Sequence, residues 1–346
     1  MRWLLLVLAI LTSIFNAGSL YAADNVVNVY IWSGEVPDFT IRQFEKETGI
    51  KVNFSTYDSN EVMFAKLKAD KNSTYDIVEP SSFYIDRMRR QGMLTKFDRS
   101  KLTNFSNLNP SFLKQAYDPE NDYSIPFVWG ITGIFLNTNY YPAGSITSWA
   151  DLWDKKFANK LLMLDDSHEV FSMALRVLGY SVNDSDPEHI KQAYLKLKEL
   201  MPNVKVFNSN PISILIDEDV TVGMSWNGDV LKAKKENHNL EFIYPKDGFV
   251  IWVDNFAIPK NAPHLENALK FLNFMLRADV AKAAVLDTNY PTPNLAAQKL
   301  LPADIQNNPV AYPPADVLKR GEFQQDLGDA TLSAYEKYWE RLKMGG

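Results

Sequence analysis

Three strand-like segments alternate with three helix-like ones between Val26 and Gly92, and that order narrows the fold more than any other feature of the chain. Residues 26–31, 51–56 and 75–78 are short, apolar and rich in β-branched or aromatic side chains, as strands are. Residues 39–48, 60–70 and 82–91 have helical spacing. Gly49 and Gly92 stop the first and third helices, and Asn60 stands as the expected cap of the second. A βαβαβα order implies a parallel sheet with helices on both faces. The pattern resumes with a strand at 160–164, helices at 169–178 and 187–200, and strands at 220–225 and 240–244. From Pro259 onward the chain reads as mostly helical, broken by Pro-rich turns. With 346 residues there is room for two α/β domains and a cleft between them.

Ligands in open α/β sheets sit beyond the carboxyl ends of strands. Trp32 and Ser33 follow the first strand, Ser81 and Phe83 the third, and Asp165 and Asp166 the strand ending at Leu164. Trp226 follows the strand ending at Ser225. A further strand is expected at 249–254, where Trp252 and Asp254 stand two apart and so share a face. An indole attracts cations through its quadrupole and a carboxylate through charge and hydrogen bonds. If these groups converge, they suit a flexible organic cation with several amines. Structural alternatives stand beside each reading. Trp252 could be a core residue and Asp254 a strand-end acid. Asp166 as N-cap with Glu169 three residues on has the spacing of a capping box.

The N-terminus predicts export. Arg2 precedes an apolar stretch over 4–15, too short to span a bilayer, and small or polar residues lead to Ala22 or Ala23. Residues 1–22 are therefore expected to be a cleaved signal peptide, leaving a periplasmic protein without membrane spans. There is no cysteine, which removes disulfides, thiolate chemistry, cysteine metal sites and a lipid-anchor cysteine. The net charge of −6, without a basic tract, argues against nucleic acid.

Enzyme signatures are weak. His168, His189, His238 and His264 form no metal-ligand spacing, and the run from Gly223 to Gly228 is one residue too long for a nucleophile elbow. A carboxylate pair could serve glycoside hydrolysis, with Asp166 and Asp254 as candidates, but nothing in the spacing selects this over ligand binding. No metal or cofactor is expected.

Several longer stretches resemble a known family. They are Phe44-Glu45-Lys46-Glu47-Thr48-Gly49-Ile50-Lys51-Val52, Leu102-Thr103-Asn104-Phe105-Ser106-Asn107-Leu108, Thr147-Ser148-Trp149-Ala150-Asp151-Leu152-Trp153, Trp226-Asn227-Gly228 and Tyr290-Pro291-Thr292-Pro293-Asn294. From about Val26 to its end the chain is similar to the spermidine/putrescine-binding proteins of ABC importers. The resemblance implies a two-lobed periplasmic binding protein of type II, closing over a polyamine in the interlobe cleft. It places one lobe at 26–133 plus about 257–303 and the other at 134–256 plus about 304–346. It implies ligand contacts from Trp32, Ser33, Ser81, Phe83, Asp166, Glu169, Trp226, Trp252, Asp254, Tyr290 and Gln324. The implied partner is an inner-membrane permease complex. A polyamine-responsive sensor, signalling through a membrane partner, is the alternative.

One departure stands out. Where relatives commonly have an acid and then Tyr after the first Trp and its hydroxyl neighbour, this chain has Gly34 and Glu35. Gly34 is expected to widen that end of the cleft or loosen its loop. Glu35 restores a charge one position along. Inward, it would meet an amine; outward, that end would rest on Trp32, Ser33 and water.

Overall fold

The computed structural model describes residues 25–70 and 74–345, so the expected signal peptide and its cleavage point lie outside the described residues. The first strand, β1 (Val26–Trp32), lies parallel to β2 (Lys51–Tyr57) on one side and β3 (Ile77–Val78) on the other. Helices α1 (Asp38–Thr48), α2 (Asn60–Ala69) and α3 (Ser82–Arg90) follow the three strands in turn. The expected βαβαβα order is present, with a shorter third strand.

The second helix begins differently from expectation. Its N-cap is Ser59, whose side chain accepts from the Val62 amide at 3.2 Å. Asn60 is the first helical residue, and its side chain is spent elsewhere: Nδ2 donates to Ser81 Oγ at 2.9 Å, and Oδ1 accepts from the Ser81 amide at 3.2 Å.

The sheet continues through a long strand the sequence did not reveal, β4 (Ser124–Asn137), which is buried along its whole length. Pro126, Gly130 and Gly133 interrupt its strand signal. Proline and glycine are tolerated in strands at bulges and close approaches, and the register of β4 does shift between Pro126 and Val128. Beyond it, β5 (Leu161–Met163) runs parallel to both β6 (Val204–Phe207) and β7 (Val222–Trp226). β7 and β8 (Leu240–Ile243) both lie antiparallel to the second half of β4. β9 (Phe249–Ala257) lies antiparallel to the first half of β4 and touches β3 through Ala257. A last three-residue strand, β10 (Gly321–Phe323), pairs with β9 inside the stretch expected to be helical. The strand order is β2-β1-β3-β9-β4-β7-β5-β6. Parallel pairing therefore holds within each half, and two antiparallel strands join the halves.

Two apolar cores flank this junction. One gathers Val29, Phe44, Ile77, Phe256 and Phe271; the other gathers Ile134, Trp149, Leu161, Phe171 and Tyr335. β4 serves both, sending Ile125 and Phe127 into the first and Ile134 and Leu136 into the second. Around the second core stand α4 (Ser167–Val177) and α5 (Pro187–Leu200), while α6 (Asn227–Lys234) packs Val230 and Ala233 in a separate cluster with Phe135 and Leu162. The helices α7 (Leu265–Met275) and α8 (Ala278–Thr288) return to the first core, and α9 (Gly328–Lys343) closes against α4 and α5. The result is a two-lobed α/β molecule. Trp226, at the end of β7, packs against both cores.

Candidate ligand-binding site

β1 delivers Trp32 to the junction, and the chain then turns through Ser33 and Gly34. Gly34 has φ +84°, a backbone state that side chains disfavour. This turn sends Glu35 inward, where it is only 7% exposed. Of the two orientations open for Glu35, the structure has the inward one. Gly34 serves the turn, and no heavy atom lies within 4 Å of where its Cβ would be.

The loop after β3 brings Ser81 against β9. Ser81 Oγ donates to Asp254 Oδ1 at 2.5 Å while accepting from Asn60 Nδ2. Trp252 and Asp254 share the inner face of β9, as their spacing requires. Trp252 can lie flat over β4 because its cross-strand partner there is Gly130. A Cβ at Gly130 would meet Trp252 Cζ2 at 2.1 Å. Asn227, beside Trp226, anchors the same corner: its Oδ1 accepts from the Ile131 amide at 3.1 Å and its Nδ2 donates to the Val310 carbonyl at 2.9 Å. Tyr290, just past α8, stands edge-on to Trp252 at 5.4 Å and donates its hydroxyl proton to Asp229 Oδ1 at 2.7 Å.

The opposite wall is the N-terminus of α4. Asp166 caps it, accepting from the Glu169 amide at 3.0 Å. The reciprocal half of a capping box is absent. Glu169 instead turns its carboxylate to Gln324, whose Nε2 donates to Oε1 at 3.2 Å. Phe83, from α3, meets the ring of His168 edge-on at 4.6 Å. Asp165 points away, exposed and paired with Lys343 at 2.7 Å.

All twelve residues expected to contact ligand, Glu35 included, border one cavity of about 260 Å³, and Asp165 does not. Asp58, Asn60, His168 and Asp229 also border it and were not singled out. Asp229 had a readable signal: an acid in the first turn of the helix that follows Trp226. Glu79, fully buried behind Glu35 and Asp254, had none.

The site is crowded with acids and nearly without bases. Burial pushes the Asp254 carboxyl up to about 7, against hydrogen bonds from Ser81, Glu35 and Trp32 that hold it down. Burial raises Glu35 well above the carboxylate range, and Glu79 and Asp254 beside it raise it further. Glu79 is raised in the same way, by burial and then by Asp254. Across the cavity, burial and the nearby Asp166 push Glu169 up to about 8. Burial drives the His168 imidazole down to about 4, so it is neutral at physiological pH. Lys232 is the one lysine or arginine among the lining residues, and it is exposed. Buried acids that lack a counter-charge hold protons. Three indoles and several such acids around one cavity are chemically matched to an apolar chain bearing ammonium groups.

Comparison with known proteins decides the family. A model for bacterial extracellular solute-binding proteins matches residues 40–313. The chain belongs to that family. It is 50% identical over 327 residues to the spermidine/putrescine-binding periplasmic protein of Salmonella typhimurium LT2, covering 94% of each chain. The protein of the same name from Escherichia coli K12 is 50% identical over 323 residues, covering 93% of this chain and 92% of its own. A solved structure from Listeria monocytogenes, described as belonging to a spermidine/putrescine ABC transporter, superposes with a TM-score of 0.89 at 37% identity, covering 92% of this chain and 99% of its own. This membership makes the chain a solute-binding protein and not an enzyme, and removes the glycoside-hydrolase reading of Asp166 and Asp254. Among the described residues no helix is long and apolar enough to cross a membrane.

Proposed function

We propose that this protein is a periplasmic polyamine receptor that binds spermidine or putrescine and delivers it to an ABC importer in the inner membrane. The observation that carries the reading is the meeting of Trp252, Asp254 and Glu35 in one buried cavity with Trp32, Trp226 and Glu169. Indole faces take the methylene segments, and each ammonium meets a carboxylate. Asp254 is the main charge partner at one end, with Glu35 beside it; Asp166 and Glu169 serve the other. Ser33, Ser81 and Phe83 complete the walls, while Tyr290 and Gln324 orient neighbouring groups. Relatives named for spermidine and putrescine, at half the residues identical over nearly the whole length, support the same ligand class.

The lobes proposed are 26–133 with about 257–303, and 134–256 with about 304–346. β4 and β9 are the strands between them, and they would act as the hinge around which the lobes close. The test is calorimetric titration of ligand-free protein with putrescine, spermidine, norspermidine and spermine. Stoichiometric binding of at least one is expected. Asp254→Asn should weaken it by roughly 2–5 kcal/mol, the range for truncating one partner of a buried charge pair. An Asp254→Asn protein with wild-type affinity would overturn the assignment.

A further inference from the structure

Glu79 stands behind the cavity wall and does not itself border the cavity. It follows β3, its side chain is fully buried, and neither carboxyl oxygen has a well-formed hydrogen bond. The chain does not normally bury a carboxyl group without a partner. The groups that face it come from every element packed around it. From β9 comes Asp254, from the turn after β1 come Glu35 and the Trp32 amide, and from β2 comes Tyr57, whose hydroxyl donates to the Glu79 carbonyl at 2.5 Å. Tyr290, bonded to Asp229, faces Glu35 and Asp254 from the other side. None of these groups is a cation. Burial and the nearby acids raise both tyrosines, which therefore stay neutral and can only donate or accept hydrogen bonds.

Three carboxyl groups on three separate elements thus meet at one end of the cavity. Like charges this close cannot all ionise without a cation. Among the described residues, no group of acids and histidines is disposed to hold a metal ion. A primary ammonium carries three N–H donors and one positive charge, enough to bond both cavity-facing carboxyls, Glu35 and Asp254, and to offset the charge of the cluster. Secondary ammonium groups, with carbon on both sides, would pass along the indole walls instead.

We propose that Glu79 completes, with Glu35 and Asp254, a subsite for the terminal primary ammonium of the ligand, and that ligand entry expels a proton from this cluster to solvent. Glu35 and Asp254 touch the ligand; Glu79 is a positioning residue that acts through them by setting how many protons the cluster holds. The ligand ammonium keeps its own proton throughout. The proton lost comes from a carboxylic acid, which becomes a carboxylate paired with the incoming charge. Affinity therefore rises with pH until the empty cluster has already ionised. The inference rests on the polyamine reading of the cavity.

The test is titration of the ligand-free protein with putrescine at one pH in phosphate and in Tris, whose ionisation heats differ. The difference in apparent enthalpy counts protons released. The wild type should release roughly one proton per putrescine, and its affinity should rise several-fold between about pH 6 and 8. Glu79→Gln should still bind, release less than half as much, and show a flatter pH profile. A merely structural Glu79 would alter affinity and leave the proton count unchanged, which would overturn the proposal, as would wild-type binding without proton release. If Glu79→Gln does not fold by circular dichroism, Glu35→Gln must show the same reduced count, and an undiminished count there overturns the proposal equally. Absence of binding by any polyamine would overturn the receptor reading and the subsite together, whereas binding without proton exchange would overturn the subsite alone.

Discussion

At the scale of single residues, the site is built from two kinds of position. Trp252 and Asp254 were legible because a strand's period of two fixes which side chains share a face. Asp166 and Glu169 were legible because a helix start after a strand is a site of known geometry, although the structure turns Glu169 toward Gln324 and away from a capping box. Glu35 was half legible: its charge is in the sequence, but its direction depends on the positive φ of Gly34. Glu79 was illegible, since an acid before Pro80 looks like a loop residue and only the meeting of β9 with the turn after β1 buries it. Glu35 also carries a prediction about selectivity. Its carboxyl adjoins Asp254 at one end of the cavity, so removing its charge should affect ligands differently according to where their amines fall. Glu35→Gln is expected to change the ratio of spermidine to putrescine affinity several-fold, about 1 kcal/mol of differential interaction. Titrating both ligands into both proteins at two salt concentrations would measure it. Equal ratios would show that Glu35 takes no part in selection.

At the scale of elements, the instructive failure is β4. Its strand character comes from partners on both edges, β9 and then β8 along one side and β7 on the other, and not from its own composition. Pro126 survives at a register shift, and Gly130 survives because Trp252 occupies the space its side chain would take. A residue that looks like a strand breaker is thus a seat for the aromatic wall. β6 and β10 were missed for a plainer reason: four and three residues, none fully buried, leave no periodic signal. The alternation from β1 to α3 was legible because local spacing, caps and glycine stops agree there. Gly130→Ala follows from the seat. Its methyl group would sit 2.1 Å from Trp252 Cζ2 and 2.7 Å from Asn227 Oδ1, so the indole must move. Overpacking of this kind costs about 1–3 kcal/mol. Urea denaturation should show that loss, and polyamine titration should show weakened binding as the indole leaves its place beside Asp254. An unchanged denaturation midpoint with unchanged affinity would mean that Trp252 does not depend on this glycine.

At the scale of the whole molecule, the cavity acids tie the stability of the empty protein to pH. Asp254 and Glu169 hold their protons more tightly folded than unfolded, with native values of about 7 and 8 against about 4 in an unfolded chain. Such groups favour the folded state fully below the unfolded value, and that contribution is lost as pH rises through the native one. His168 works in the opposite sense. Its native value of about 4 lies below the unfolded value of about 6.5, so its contribution is present above 6.5 and lost as pH falls toward 4. Between about pH 6.5 and 8 the folded imidazole is neutral and the unfolded one sheds its remaining proton, a small gain in stability set against the larger loss from the raised carboxyls. Across that window the ligand-free protein is expected to melt at a progressively lower temperature as pH rises. On the proposed reading a bound polyamine would supply the missing positive charge in the same cavity, and the acids could then ionise at lower cost. Its stabilising effect, which arises by mass action, should therefore be larger at pH 8 than at pH 6.5. Scanning calorimetry of the same preparation at the two pH values, with and without saturating spermidine, gives both quantities. A ligand-induced rise in melting temperature that is equal at the two pH values would show that the buried acids are not what the ligand neutralises.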